Sequence, residues 1–110
     1  VVIGVEGGNV MQRTGLSDTF VAHRYWHGWL EFKSETGKLR KTQEVFLRQM
    51  MDRGVPAFVV RAASNLDIRK NGTTPGIIEN WDGTELARFS GAKELLHRLA
   101  LLTDVERGIH

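Results

Sequence analysis

The sequence predicts an α/β domain, a small mixed sheet with helices packed on it, and three observations carry that prediction. Two strand-like segments, residues 19–23 and 25–34, follow one another with only a short joint between them. A stretch from about Arg40 to Arg53 has helical periodicity, with Val45, Phe46, Met50 and Met51 on one side and Lys41, Glu44 and Arg48 on another. Then Val55-Pro56-Ala57-Phe58-Val59-Val60 forms a nearly unbroken apolar run, the pattern of a strand covered on both faces in parallel pairing. Strand, helix and strand in succession make a βαβ unit, for which a right-handed crossover is the rule.

The elements follow in order. Val1-Val2-Ile3-Gly4-Val5 reads as a short buried strand and Gly7-Gly8-Asn9 as a turn. The strands at Thr19–His23 and Tyr25–Ser34 pair as a hairpin joined around Arg24–Gly28. Ser34-Glu35-Thr36-Gly37-Lys38 is a turn that leads into the helix. Gly54 closes that helix in the C′ position, and Pro56 follows two residues later. The strand bearing Glu31 therefore shares a sheet with Phe58–Arg61. Ala62 to Gly76 is polar and reads as a loop with at most one helical turn. Ile77–Asn80 and Glu85–Phe89 flank Trp81-Asp82-Gly83-Thr84, an Asp-Gly hairpin. Ser90 is placed to cap a last helix whose Leu95, Leu96, Leu99 and Leu102 form an apolar stripe. No internal repeat or low-complexity tract is present.

Composition bounds the function. A chain of 110 residues makes one domain with a single core. There is no cysteine, which excludes disulfides and thiolate zinc sites. No stretch is apolar enough for a membrane span, no basic-then-apolar leader opens the chain, and a cytoplasmic location is the matching expectation. A net charge of +2 with a pI near 9.3 permits nucleic acid as partner without demanding it.

Chemistry concentrates in Trp29-Leu30-Glu31-Phe32-Lys33. In a strand Glu31 and Lys33 share one face while Leu30 and Phe32 take the other. A carboxylate beside an ammonium, with Asp18 brought close by the hairpin, suits a divalent ion and a phosphodiester. Mg²⁺ prefers a few carboxylate oxygens and retains waters, and lysine supplies a point charge for a phosphate oxygen. On an exposed strand face the same Glu-x-Lys is usually a solvated ion pair of little worth. Aspartate after Gly15 is also an ordinary turn residue.

Gly15-Leu16-Ser17-Asp18, Glu31-Phe32-Lys33, Gly37-Lys38-Leu39, Gln43, Gly54 and Val59-Val60-Arg61, in that order and spacing, resemble the virus-type replication–repair nuclease (VRR-NUC) domain of the PD-(D/E)xK nuclease superfamily. The resemblance covers residues 13–62. It implies a restriction-endonuclease-like core and a metal-dependent DNA endonuclease. Asp18 and Glu31 would bind Mg²⁺ or Mn²⁺ together with the backbone carbonyl of Phe32. Lys33 would orient or help deprotonate the attacking water, and Gln43 would reach the water, the metal shell or a phosphate. Arg61 matches the first arginine of the family's Val-Arg-Arg motif and would be a DNA contact, and Ala62 replaces the second. Glu6 is the sole acidic residue ahead of Gly15, where many members carry a metal-binding glutamate on a helix; the glycine-rich Val5–Gly8 does not look like that helix.

Other residues take simpler expectations. Lys38, Arg40, Lys41 and Arg48 are placed to track a phosphate backbone, although a solvated charged face gives the same pattern. Tyr25, Trp26 and Trp29 are candidates for stacking on unpaired bases, with at least one tryptophan expected in the core. His23 and His27 are read as surface or DNA-facing residues rather than metal ligands, and Met50 and Met51 as core fillers. The expected substrate is branched DNA, such as a Holliday junction or flap, cut by a homodimer in DNA repair in a phage or bacterial setting. Two other readings compete: a catalytically silent nuclease-like DNA-binding module, and a restriction-type or archaeal-resolvase-type relative.

Overall fold

A computed structural model describes the backbone of residues 2–4, 9–11, 19–62 and 73–106, with side chains for 19–62 and 73–103. The described elements are β1 (Val2–Gly4), β2 (Asn9–Met11), β3 (Thr19–Ala22), β4 (His27–Lys33), α1 (Lys41–Asp52), β5 (Ala57–Ala62), β6 (Pro75–Glu79), β7 (Glu85–Ser90) and α2 (Ala92–Glu106). They form a single mixed sheet in the order β2-β1-β3-β4-β5-β6-β7. Its body is the five strands β3 to β7, and the three-residue strands β1 and β2 extend one side. The α/β class expected from the sequence is the class observed.

The hairpin and crossover that organise the sheet are both present. β3 and β4 are antiparallel, with Thr19 opposite Leu30 and Ala22 opposite His27. The turn is tighter than the sequence suggested, because His23 and Trp26 exchange both backbone hydrogen bonds around Arg24-Tyr25. β4 therefore starts at His27 rather than Tyr25. From β4 the chain crosses through α1 into β5, which is parallel to β4 with Glu31 opposite Val59 and Lys33 opposite Arg61. Antiparallel β6 and β7 complete the sheet.

Successive strand residues face opposite layers, so each helix finds its own apolar surface. Leu30, Phe58, Val60, Ile78 and Phe89 face α2, where Leu95, Leu96 and Leu99 close the main core. Trp26 joins that core, and its indole N–H donates to Thr103 Oγ1 at 2.7 Å, so the polar atom enters the interior with a partner. On the other face Leu47 of α1 packs on Ala57 and Val59, with Trp29, Phe46, Met50 and Trp81 around it. Met51 touches both clusters, so both methionines act as core fillers.

Several boundaries differ from the sequence reading for identifiable reasons. Leu47, fully buried, is the centre of the α1 contact, whereas Val45 is 40% exposed. Gly54 does take the C′ position, with φ +78°, and its N–H bonds Met51 O while that of Val55 bonds Met50 O, a Schellman ending. Ser90 does not cap α2. It ends β7, donates its hydroxyl to Thr73 O, and leaves Gly91 (φ +86°) in the N-cap position, where its carbonyl accepts from Leu95. The expected Asp-Gly hairpin is present, its loop closed by the Asn80 N–H to Thr84 O bond with Gly83 at φ +90°. The Thr84 backbone N–H bonded to Asp82 holds that exposed carboxyl below its usual range. The polar segment expected from Ala62 to Gly76 is shorter at both ends, since β5 runs through Ala62 and β6 starts at Pro75, and residues 63–72 lie outside the described residues. β2 has no counterpart in the sequence reading. Among the described residues no helix is long and apolar enough to cross a membrane.

Candidate functional site

Glu31 and Lys33 lie on the α1 face of β4, as the alternation required. The Lys33 ammonium is 3.4 Å from Glu31 Oε1, and only 4% of the Glu31 side chain and 18% of the Lys33 side chain are exposed. This is not the solvated surface pair that a Glu-x-Lys usually makes. Burial of a carboxylate is costly unless cations and hydrogen-bond donors replace its water.

Gln43 supplies one of those donors. It sits in the first turn of α1, is itself buried, and its Nε2 donates to Glu31 Oε1 at 3.0 Å. Its Oε1 accepts the backbone N–H of Arg40, the N-cap residue, at 2.8 Å. An N–H can be accepted only by the amide oxygen, so the two bonds together fix which end of the amide faces the carboxylate. One side chain thus caps the helix and anchors it to the site.

Beside this trio lies a second ion pair. Arg61, directly across from Lys33, donates its Nε to Glu79 Oε1 at 2.8 Å. Its Nη1 donates to the carbonyls of Ser34, at 3.1 Å, and Gly37. Arg61 therefore fastens the turn between β4 and α1 to the sheet. Sequence reasoning offered Arg61 as a DNA contact and missed Glu79; the signal available was only that both residues fall on the α1 face of paired strands.

The arrangement gathers at the carboxyl ends of the parallel strands β4 and β5, with the N-terminal turn of α1 over it. Crevices outside the carboxyl ends of strands are where open α/β sheets hold ligands, and a helix N-terminus favours an anion. Lys38, Arg40 and Lys41, all exposed, follow the turn into that helix end. Lys41 pairs with Glu44 at 3.7 Å. Arg48, further along α1, lies over the Trp81 ring at 5.5 Å.

Backbone direction adds a further oxygen. The Trp29 N–H bonds Pro56 O on the β5 side, so Trp29, Glu31 and Lys33 direct their main-chain groups toward β5. Leu30 and Phe32 direct theirs the other way, toward β3. The Phe32 carbonyl accordingly points to the β3 side, two residues beyond the Thr19–Leu30 pair with which the described part of β3 ends. Asp18, which precedes Thr19, lies outside the described residues, as do Gly15 and Glu6. Among the described residues no three His, Cys, Asp or Glu side chains gather as a metal cluster.

The remaining candidates separate clearly. Trp26 is core. Trp29 is half-buried and meets Phe20 and Phe46 edge-on, at 5.1 and 5.3 Å between ring centroids. Tyr25 is 70% exposed at the hairpin tip. His27 is exposed at the start of β4, while His23 accepts the Tyr25 N–H on Nδ1. The site thus consists of Glu31, Lys33 and Gln43 in direct contact, with Arg61 and Glu79 adjacent. Comparison of the chain with protein-family models, with curated proteins and with solved structures finds no match in any of the three.

Proposed function

We propose that this domain is a divalent-metal-dependent deoxyribonuclease of the VRR-NUC type, with a restriction-endonuclease-like core, that hydrolyses phosphodiester bonds in branched DNA. The observation that carries the proposal is the buried Glu31 carboxylate, contacted on one oxygen by Lys33 and Gln43, beneath the N-terminal turn of the crossover helix. An antiparallel hairpin followed by a parallel crossover, with Glu-x-Lys on the shared strand, agrees with that architecture.

The donor set suits Mg²⁺ or Mn²⁺. Glu31 offers a carboxylate and Phe32 a carbonyl directed toward β3, both hard oxygens of the kind these ions select. Asp18 is proposed as the second carboxylate. The ion, when bound, supplies Lewis-acid stabilisation of the charge that builds on the phosphate and acidifies a water. Lys33 is close enough to Glu31 to stay on the same side of the sheet as the phosphate. Its ammonium offsets the developing negative charge and orients the attacking water. Gln43 holds the Glu31 carboxylate in one rotamer, and the α1 N-terminus favours the anion. Lys38, Arg40 and Lys41 border that helix end and are proposed to follow the DNA backbone. Products would carry 5′-phosphate and 3′-hydroxyl ends by analogy with the superfamily.

A silent DNA-binding module draws on the same observation, because the contacts of Lys33 and Gln43 with Glu31 would also stabilise the crossover without catalysis. Cleavage and metal binding separate the two. Purified protein is incubated with duplex, flap and four-way-junction DNA with Mg²⁺, Mn²⁺ or EDTA, and Mn²⁺ binding is followed separately by electron paramagnetic resonance. Cleavage that needs the ion, is lost by about a hundredfold or more in Lys33→Ala or Asp18→Ala, and coincides with Mn²⁺ binding weakened by Glu31→Gln supports the nuclease. DNA binding without cleavage or Mn²⁺ uptake selects the silent module.

A further inference from the structure

The tip of the β3–β4 hairpin is a second feature that the candidate site does not use. Among the described residues Tyr25 is the most exposed large hydrophobic side chain, at 70%, ahead of Leu101 and Val45. It is also firmly presented. The turn is closed by both His23–Trp26 backbone bonds, the Tyr25 N–H donates to His23 Nδ1 at 3.2 Å, and the two rings stand 5.2 Å apart. The Arg24 guanidinium lies 5.9 Å from the Tyr25 ring centroid. Trp26, next in the chain, anchors the turn in the main core through Phe58 and Thr103. An exposed aromatic ring on a pre-ordered support loses little entropy when it binds a flat partner.

Charge narrows the partner. From Thr19 to Leu30 the chain holds His23, Arg24 and His27 and no Asp or Glu. An exposed aromatic ring in a hairpin whose own charged or polar ring residues are an arginine and two histidines matches the chemistry of single-stranded nucleic acid, where bases stack and phosphates are neutralised. His27 is separated from Glu31 by about 13 Å of strand. That places His27 about four base-pair steps of 3.4 Å from Glu31, with the Arg24-Tyr25 turn beyond it.

We propose that Tyr25 stacks on an unpaired nucleobase of the DNA substrate, with Arg24 and His27 on the adjoining phosphates, so that the hairpin tip selects DNA with a single-stranded segment near the cleavage point. This rests on the nuclease reading for the identity of the substrate but is tested by binding alone.

The experiment compares wild type, Tyr25→Ala and Tyr25→Trp in EDTA, by fluorescence anisotropy on a blunt duplex and on the same duplex with a single-stranded overhang. A 2-aminopurine in the overhang reports stacking by quenching. Tyr25→Ala should lose about tenfold in affinity for the overhang DNA, leave duplex affinity within about twofold, and abolish the quenching, while Tyr25→Trp retains both. Equal affinity of Tyr25→Ala and wild type for the overhang DNA, or equal losses on both DNAs, overturns the proposal. If wild type cleaves DNA in Mg²⁺ and yet Tyr25→Ala is unchanged, this inference alone falls. If wild type neither binds nor cleaves any of the DNAs, both fall.

Discussion

Gln43 does two jobs that pull in the same direction. Its amide oxygen satisfies the Arg40 N–H, one of the donors a helix start leaves open, and its nitrogen reaches Glu31. Removing it therefore opens the helix end and strips a donor from a buried carboxylate at once. Gln43→Ala is expected to cost about 1–3 kcal/mol of stability, combining a lost cap with a lost hydrogen bond to a charged group. Urea denaturation of wild type and variant measures it, and an unchanged midpoint would show that neither bond matters. Gln43→Glu should be worse still at neutral pH, because it sets a second carboxylate against Glu31. The role of glutamine was legible in the sequence only as a motif position. Its capping bond was not, since Arg40 lacks the side-chain oxygen that usually announces an N-cap.

Strands and helices were readable where one period dominated. β4 alternates cleanly, so the faces of Glu31 and Phe32 followed from spacing alone, and the apolar run at Val55–Val60 announced β5. Reading failed where a polar residue took a core position or a glycine replaced the expected cap. The face of α1 turned to the sheet runs through buried Gln43 and Leu47 and half-buried Met50 and Met51; a search for apolar residues alone rotates the stripe toward Val45. Ser90 has the chemistry of an N-cap, but the β7 pairing of Ser90 with Pro75 keeps it in the strand, and Gly91 takes the turn into α2. Close approach explains another residue. A Cβ on Gly28 would stand 2.6 Å from Pro56 O and from the Trp26 ring, where β4 enters its pairing with β5. Neither the carbonyl nor the core indole can retreat without disturbing the sheet. Gly28→Ala is expected to destabilise by about 1–3 kcal/mol, read as a lowered Tm. A variant as stable as wild type would mean that the two strands can shift to admit a methyl group.

At the scale of the molecule the question is how one domain would cut two strands. A four-way junction presents two symmetry-related scissile phosphates, and each copy of this chain carries one Glu31–Lys33–Gln43 arrangement. Coordinated cutting calls for a second copy, most simply about a twofold axis. The hairpin at Ile77–Phe89 and the helix at Leu95–Leu102 lie outside the motif-bearing half, and the sequence leaves two equal roles for them: the source of that contact, or completion of the monomer core. The structure commits much of them to the second: Ile78, Phe89, Leu95, Leu96 and Leu99 are buried inside the monomer. Among the described side chains, the large apolar residue that α2 leaves on the outside is Leu101, 48% exposed, and the one that α1 leaves is Val45. A twofold contact through α2 would therefore centre on Leu101. Light scattering at micromolar protein should give a mass near twice 12.4 kDa, and Leu101→Glu should return it to the monomer value while the thermal unfolding of the domain barely changes. A dimer indifferent to Leu101→Glu would move the contact to another surface. A strictly monomeric protein that still cleaves would instead make it an enzyme of flaps or ends, acting on one strand at a time.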